Sequence, residues 1–257
     1  MNYAEHPAPE SLQDLVKVFW SLDTGPGGKA WIHHRAVPDG CVEIIRRLDG
    51  RSRWKSEQPE RFAVGLIERP STFSIGRGSR FVAVRIWPWT WRLLSDRPLA
   101  ALRGGWCPVA EPTLLALADR LDDPAAAADF LRQRLAKAPA RLREIGRAIL
   151  AAAQVDDIRH GAGLEPRALQ RWFAAHVGLP PRLYLRLLRF ERAFVDLPGR
   201  PSLAEHALAS GFADQPHMNR DFRALAGAPP AEARRVAKGP FLPDGATGGQ
   251  AAGRRNR

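Results

Sequence analysis

Two similar stretches of sequence decide the fold of the C-terminal half: VDDIRHGAGLEPRALQRWFAAHVGLPP at residues 155–181 and LAEHALASGFADQPHMNRDFRALAGAPP at residues 203–230. They align with one residue inserted in the second copy, and Gly163 then matches Gly211. Each copy is typical of a helix, a tight turn at the glycine, a second helix and a Gly–Pro stop. Glycine reaches positive φ without penalty, and proline ends helices. The repeat therefore predicts two helix-turn-helix units, with a long basic helix from Pro181 to about Leu197 between them.

The second helix of each unit presents polar side chains opposite its apolar stripe. A helix of about 10 Å diameter fits the major groove of DNA, where arginine binds guanine and glutamine binds adenine through paired hydrogen bonds. A solvated face explains one such helix equally well, but the duplicated pair favours DNA reading. The predicted reading residues are Arg167, Gln170 and Arg171 in the first unit, and Gln215, Pro216, His217, Asn219 and Arg220 in the second.

Residues from about 145 to 236 resemble the DNA-binding domain of the AraC/XylS family of transcription regulators. The resemblance implies two helix-turn-helix units on a central helix, with both recognition helices in successive major grooves on one face of the DNA. It also implies that the other half of the chain senses a small molecule or mediates dimerisation. The matching segments are Ala168–Phe173, Gly178–Pro181, Leu188–Arg189 with Ala193, Ala207–His217, Asn219–Arg223 and Gly227–Pro230.

Four residues depart from the family pattern. Glu165 stands where serine is usual, and glutamate is a poor helix N-cap that also repels phosphate. Gly161 occupies a position that is often alanine, and glycine weakens a helix by about 1 kcal/mol. Pro216 and Met218 replace the usual serine and phenylalanine of the second unit. These departures predict that the first unit binds DNA less tightly than the second.

The N-terminal half has short strand-like runs between Gly- and Pro-rich turns. Residues 41–45, 62–67 and 81–86 read as strands, whereas residues 11–20 fit a short helix or a strand. We therefore predict an α+β protein. Its predicted parts are a mostly-β, barrel-like regulatory domain over 1–110, a helical linker over 111–140, the DNA-binding domain over 141–238 and a disordered tail over 239–257. Helices that complete the core of the first domain are an equal alternative to the linker.

The N-terminal half offers two further candidate sites. Val37–Ile45 resembles an uncharacterised domain found ahead of such regulators, which carries little functional information. His33, His34, Cys41 and Glu43 are metal-ligand types, but turn and core roles are favoured because adjacent strand residues face opposite ways. The alternating tryptophans are candidates to line an apolar ligand pocket, with core packing as the more frequent use of such residues. They are Trp87, Trp89 and Trp91.

Composition excludes several classes of protein. The 257 residues carry 39 Lys and Arg against 27 Asp and Glu, a net charge of +12, which favours an anionic partner without identifying one. Two cysteines, no signal-like start and no long apolar run predict a cytoplasmic protein that spans no membrane. No cofactor or metal is predicted.

The leading interpretation is a DNA-binding transcription regulator rather than an enzyme. Its expected partners are double-stranded DNA, a small-molecule effector, RNA polymerase and a second copy of the chain. One alternative is an alkyl-transfer DNA repair protein, which needs an activated thiolate at Cys41 or Cys107. The other is a DNA-binding scaffold that senses nothing.

Overall fold

The computed structural model describes residues 1–26, 30–199, 202–236 and 241–243. Strands fill most of the first hundred residues. They are β1 (Asn2–Pro7), β2 (Val16–Asp23), β3 (Trp31–Ala36), β4 (Val42–Asp49), β5 (Ser52–Trp54), β6 (Ser56–Glu57), β7 (Arg61–Val64), β8 (Ser71–Gly76), β9 (Arg80–Ile86), β10 (Trp106–Pro108) and β11 (Phe241–Pro243).

Helices dominate the rest of the chain. They are α1 (Trp91–Leu94), α2 (Pro112–Ala118), α3 (Pro124–Arg134), α4 (Ala140–Ala151), α5 (Val155–Ala162), α6 (Pro166–His176), α7 (Pro181–Asp196), α8 (Leu203–Ala209), α9 (Gln215–Leu225) and α10 (Pro230–Val236). Short 3₁₀ turns at Glu10–Leu12, Pro88–Thr90, Leu99–Leu102 and Leu197–Gly199 link them. None of the described helices is both long and apolar enough to cross a membrane.

The strands form two antiparallel sheets that face each other. The large sheet has the order β1-β2-β9-β4-β7-β10, and the small sheet has the order β11-β3-β8-β5-β6. Alternate residues of a strand point to opposite faces, so the two faces of the large sheet have different partners. Along β4, Ile45 packs toward the small sheet, whereas Val42 and Ile44 pack toward the helices. The predicted mostly-β domain is confirmed, as a two-sheet sandwich.

Helices α2 and α3 cover the outer face of the large sheet. Their buried residues Leu114, Leu117 and Leu131 belong to the same core as Val42. At the end of α2, the Asp119 carboxylate lies 2.8 Å from the Arg61 guanidinium of β7. These contacts support the alternative in which the two helices complete the core of the first domain.

The candidate ligand tryptophans lie in the core. The Trp89 and Trp91 side chains are fully buried and that of Trp87 nearly so. Each indole N–H donates to a backbone carbonyl at 2.8–2.9 Å. Trp87 and Trp89 stack with ring centroids 5.8 Å apart. The structure thus gives these three side chains the core-packing role rather than a pocket lining, because each indole already has apolar neighbours and a hydrogen-bond acceptor.

One core joins the two halves of the chain. The ring of Trp89 lies 6.2 Å from that of Trp172 on α6 and 6.4 Å from that of Tyr184 on α7. Gly146 of α4 leaves room for the same indole, since a β-carbon there would lie 2.7 Å from its Nε1 atom. Helices α4, α6 and α7 are therefore packed directly on the β-sandwich.

Part of the predicted disordered tail is ordered. Strand β11 pairs antiparallel with β3, with Phe241 opposite Ala36 and Pro243 opposite His34. Pairing satisfies backbone groups on the edge of β3, which is a long-range contact that local composition does not reveal. The rest of the predicted tail lies outside the described residues.

Candidate nucleic-acid interface

The first helix-turn-helix unit consists of α5, a turn at Gly163 and α6. Gly163 adopts a left-handed conformation with φ of 55°, as the tight turn requires. On α6 the Leu169 and Phe173 side chains are buried. The predicted reading residues Arg167, Gln170 and Arg171 are all exposed, so they share the solvent face of this helix.

The second unit repeats this arrangement with α8, Gly211 and α9. Gly211 has φ of 79°, and Met218 and Phe222 form the buried stripe of α9. Pro216 and Arg220 are exposed, whereas Gln215, His217 and Asn219 are partly buried at the edges of the face. The sequence repeat is thus also a repeat in three dimensions.

His217 is held more firmly than its neighbours on α9. Its ring packs edge-on against Phe212, with centroids 5.3 Å apart. Its Nε2 atom lies 3.9 Å from the Asp221 carboxylate. These contacts turn part of the imidazole away from the solvent face, so His217 is less available than Arg220 for contact with a base.

The N-termini of the two recognition helices differ. Asp214 caps α9, and its carboxylate accepts a hydrogen bond of 2.6 Å from the His217 backbone N–H. Glu165 stands in the equivalent place before α6 and makes no capping hydrogen bond with its side chain. An N-cap stabilises a helix by about 1 kcal/mol, so the first turn of α9 is held more firmly than that of α6.

A buried carboxylate fixes α9 to the central helix. Asp221 is only 5% exposed. Its oxygens lie 2.9 Å from Arg186 Nε and 3.5 Å from Arg189 NH2, both on α7. Sequence reasoning missed this role, because it identified only a long basic helix between the two repeats. The available signal was the position of Asp221, which falls in register with the apolar stripe of α9.

Three arginines of the recognition helices are available for an anionic partner. Among the residues that the structure describes, no carboxylate pairs with Arg167, Arg171 or Arg220. Arginine presents a planar fork of donors that matches phosphate oxygens and the guanine edge. The exposed faces of α6 and α9 therefore have the chemistry of a DNA-binding surface.

Comparison with known families identifies both halves of the chain. Residues 160–236 match the family model of a helix-turn-helix domain, and residues 4–108 match the model of a domain of unknown function, DUF6597. Residues 160–236 form an AraC-type helix-turn-helix domain. The chain is accordingly a DNA-binding transcription regulator.

Some solved structures match most of the chain, and another matches mainly its DNA-binding domain. ToxT from Vibrio cholerae has 10% identity and a TM-score of 0.46, with 93% of this chain and 100% of that chain covered. A transcriptional regulator with an AraC-type DNA-binding domain from Chromobacterium violaceum has 29% identity and a TM-score of 0.33. That match covers 37% of this chain and 89% of the other. No curated protein matches the sequence.

The AraC-type domain is in contact with the β-sandwich through its first recognition helix. Trp172, on the back of α6, packs on Trp89 of the sandwich and stacks on His176, with ring centroids 4.6 Å apart. Burial lowers the pKa of His176, and the nearby Arg92 lowers it further. The side of α6 that carries Trp172 is thus packed against aromatic rings, whereas the side that carries Arg167 and Arg171 is exposed.

The two thiols lack the surroundings of a nucleophile. Cys41 is buried and Cys107 is partly buried. Burial raises the pKa of both thiols, that of Cys41 strongly. A thiol with a raised pKa supplies little thiolate at neutral pH, so the surroundings of both thiols disfavour alkyl transfer.

Two of the candidate metal ligands of the sandwich, His33 and Glu43, contact other side chains. The His33 ring lies 2.9 Å from the Ser74 hydroxyl, and Glu43 contacts Arg85. Within the described residues no three His, Cys, Asp or Glu side chains are arranged to hold a metal ion.

Proposed function

We propose that this regulator binds a specific operator by placing α6 and α9 in successive major grooves, under control of a small molecule bound by its β-sandwich. The observation that carries the first part is the repeated exposed face. The same stripe of each recognition helix is buried, and Arg171 and Arg220 occupy matching exposed positions. We expect these two arginines to bind guanine O6 and N7, and Gln170 to bind adenine.

The two units contribute unequally in this proposal. Asp214 caps α9, and Asp221 fixes it to α7. Helix α6 has Glu165 at its start, where a carboxylate repels the phosphate backbone. We therefore expect substitutions in α9 to weaken DNA binding more than matched substitutions in α6.

Control by a small molecule is supported by a cavity inside the sandwich and by the direct packing of the sandwich on the DNA-binding helices. The cavity lies between the two sheets, and its lining includes Trp20, Glu43 and Trp54. The loop before β4 contacts α7, where the Tyr184 hydroxyl donates a hydrogen bond to the Gly40 carbonyl. A ligand that moves β4 thus has a short route to the central helix of the DNA-binding domain.

Selection of bound fragments from random DNA tests the operator proposal. We expect one motif with two contacted segments about one helical turn apart. A second copy of the chain would double that motif, so the selection also reports dimerisation. Recovery of random sequence would contradict sequence-specific binding.

Two arginine variants locate the reading face on the selected DNA. At matched salt, Arg171→Ala and Arg220→Ala should each weaken binding by about 1–3 kcal/mol and relax the base preference at one position. Arg132→Ala is the matched control, because Arg132 is exposed on α3 and pairs with Asp129. If both variants bind as tightly as the control, the proposed face is wrong.

A further inference from the structure

The cavity of the sandwich has an aromatic wall. Trp20, Trp54, Phe62, Phe73 and Phe81 line it, from strands of both sheets. Its volume is about 80 Å³. The cavity therefore has room for roughly six waters, or a ligand of about five to eight non-hydrogen atoms.

Polar groups interrupt this wall. The Glu43 carboxylate, the Ser52 hydroxyl and the Gln58 side chain also line the cavity. Ser52 is 2% exposed, and its oxygen has no hydrogen-bond partner among the described residues. A buried hydroxyl without a partner is costly, so a bound molecule with a polar atom would satisfy it.

Negative charge exceeds positive charge beside Glu43. Its Oε1 atom lies 2.6 Å from Arg85 Nε. The same guanidinium is shared with Asp39 at 3.0 Å and with Glu5 at 2.9 Å. One cation therefore serves three carboxylates, of which Glu43 faces the cavity.

The nearby lysine pairs with another carboxylate. Lys17 Nζ lies 2.8 Å from the Glu191 carboxylate on α7, and its charge also attracts Asp39, but it forms no ion pair with Glu43. Burial raises the pKa of Glu43, although Arg85 acts in the opposite direction. Among the described residues, Arg85 is the only cation that forms an ion pair with the Glu43 carboxylate.

We propose that this cavity binds a small organic cation of the alkylammonium class, with Glu43 as counter-ion and the aromatic rings as its walls. A cation over the face of tryptophan or phenylalanine is attracted by the ring quadrupole, and the attraction increases when water is excluded. An anionic ligand would meet the carboxylate excess directly. The inference rests on the proposed control by a small molecule and specifies the ligand.

Calorimetric titration of the full chain with choline and with 3,3-dimethyl-1-butanol tests this proposal. The two compounds have nearly the same shape and hydroxyl group, and only choline is charged. We expect choline to bind at least about tenfold more tightly. Equal binding of both compounds, or tighter binding of the neutral one, would overturn the cation proposal while supporting a small-molecule site.

Two carboxylate variants assign the charge to Glu43. Glu43→Gln keeps the shape and should weaken choline binding about tenfold or more, with little effect on the neutral compound. Glu57→Gln is the control, because Glu57 is exposed on β6 and is not part of the cavity lining. Unchanged choline affinity in Glu43→Gln would refute the assigned counter-ion. Circular dichroism and the melting temperature establish that each variant is folded.

Measuring operator affinity with and without choline distinguishes a failure of the cation proposal from a failure of the proposed control by a small molecule. If choline binds in the expected manner and changes operator affinity, both are supported. If choline binds through Glu43 and operator affinity does not change, the cation site stands and the proposed control by that site is wrong. If neither compound binds, the cation proposal is overturned, and a wider metabolite panel then tests small-molecule control by itself.

Discussion

The Tyr184 hydroxyl of α7 donates a 2.8 Å hydrogen bond to the Gly40 carbonyl in the loop before β4. Both groups are buried. Gly40 has φ of 71°, and a β-carbon there would lie 2.9 Å from the Leu188 side chain. Glycine is thus needed at this point both for its backbone conformation and for the close approach of α7. The central helix α7 of the DNA-binding domain therefore packs directly against the loop before β4, the strand that contains Glu43.

Removal of this hydroxyl should weaken the contact between the two halves. Tyr184→Phe keeps the packing and leaves the buried Gly40 carbonyl without its donor, at a cost of about 1–3 kcal/mol in the free energy of unfolding. Urea denaturation measures the loss. Tyr3→Phe is the control, since the Tyr3 hydroxyl bonds to Glu5 near the surface, and it should cost less. A cost for Tyr184→Phe no greater than that of the control would contradict the role assigned to this bond.

Two glycine-to-alanine substitutions in neighbouring helices should change the free energy of unfolding in opposite directions. In Gly146→Ala the new methyl meets the fully buried Trp89, which its bond to the Asp14 carbonyl holds in place. Overpacking of this kind costs about 1–3 kcal/mol. In Gly161→Ala the nearest atom is 3.4 Å away, so the higher helix propensity of alanine should add up to about 1 kcal/mol. Melting curves of both variants show the signs, and stabilisation by Gly146→Ala would disprove the tight packing at Trp89.

The two helix caps provide a second pair of opposite effects. Asp214→Ala removes the bond to the His217 backbone and should destabilise the chain by about 1 kcal/mol. Glu165→Ser supplies a cap that α6 lacks and should stabilise it by a similar amount. Operator affinity should fall in the first variant and rise in the second. If operator affinity changed in the same direction in both variants, capping would not be what determines how well these helices bind DNA.

Acidification should destabilise the chain through His176. Its lowered folded-state pKa means that the unfolded chain takes up the proton first. The stabilisation from the neutral ring is complete above the unfolded pKa of about 6.5 and is lost as pH falls through the lower folded value. Urea denaturation at about pH 7.5 and about pH 5.5 should therefore show a larger loss for the native chain than for His176→Gln. Parallel pH profiles would argue against a buried neutral imidazole.

Local signals predicted the DNA-binding half well because its elements are determined by neighbours in the chain. Gly163 and Gly211 mark turns that need positive φ, and Phe173 and Phe222 keep the period of a helix. The same reasoning failed at Asp221, since a charge inside an apolar stripe has meaning only when Arg186 of another helix is beside it. The succession of helices and turns in the DNA-binding domain was therefore predictable from the sequence. The ion pairs between its helices were not.

The sequence by itself determined the duplicated helix-turn-helix, the exposed faces of its second helices and the mostly-β character of the first half. These follow from periodicity, turn residues and helix stops, which act over a few residues. Only the tertiary structure decided that Trp87, Trp89 and Trp91 belong to the core and that the cavity lies between the sheets beside Glu43. It also decided that Tyr184 joins the two halves. The reason is that these properties depend on contacts between residues far apart in the chain, and a strand pattern gives the face of a residue without naming the partner across from it.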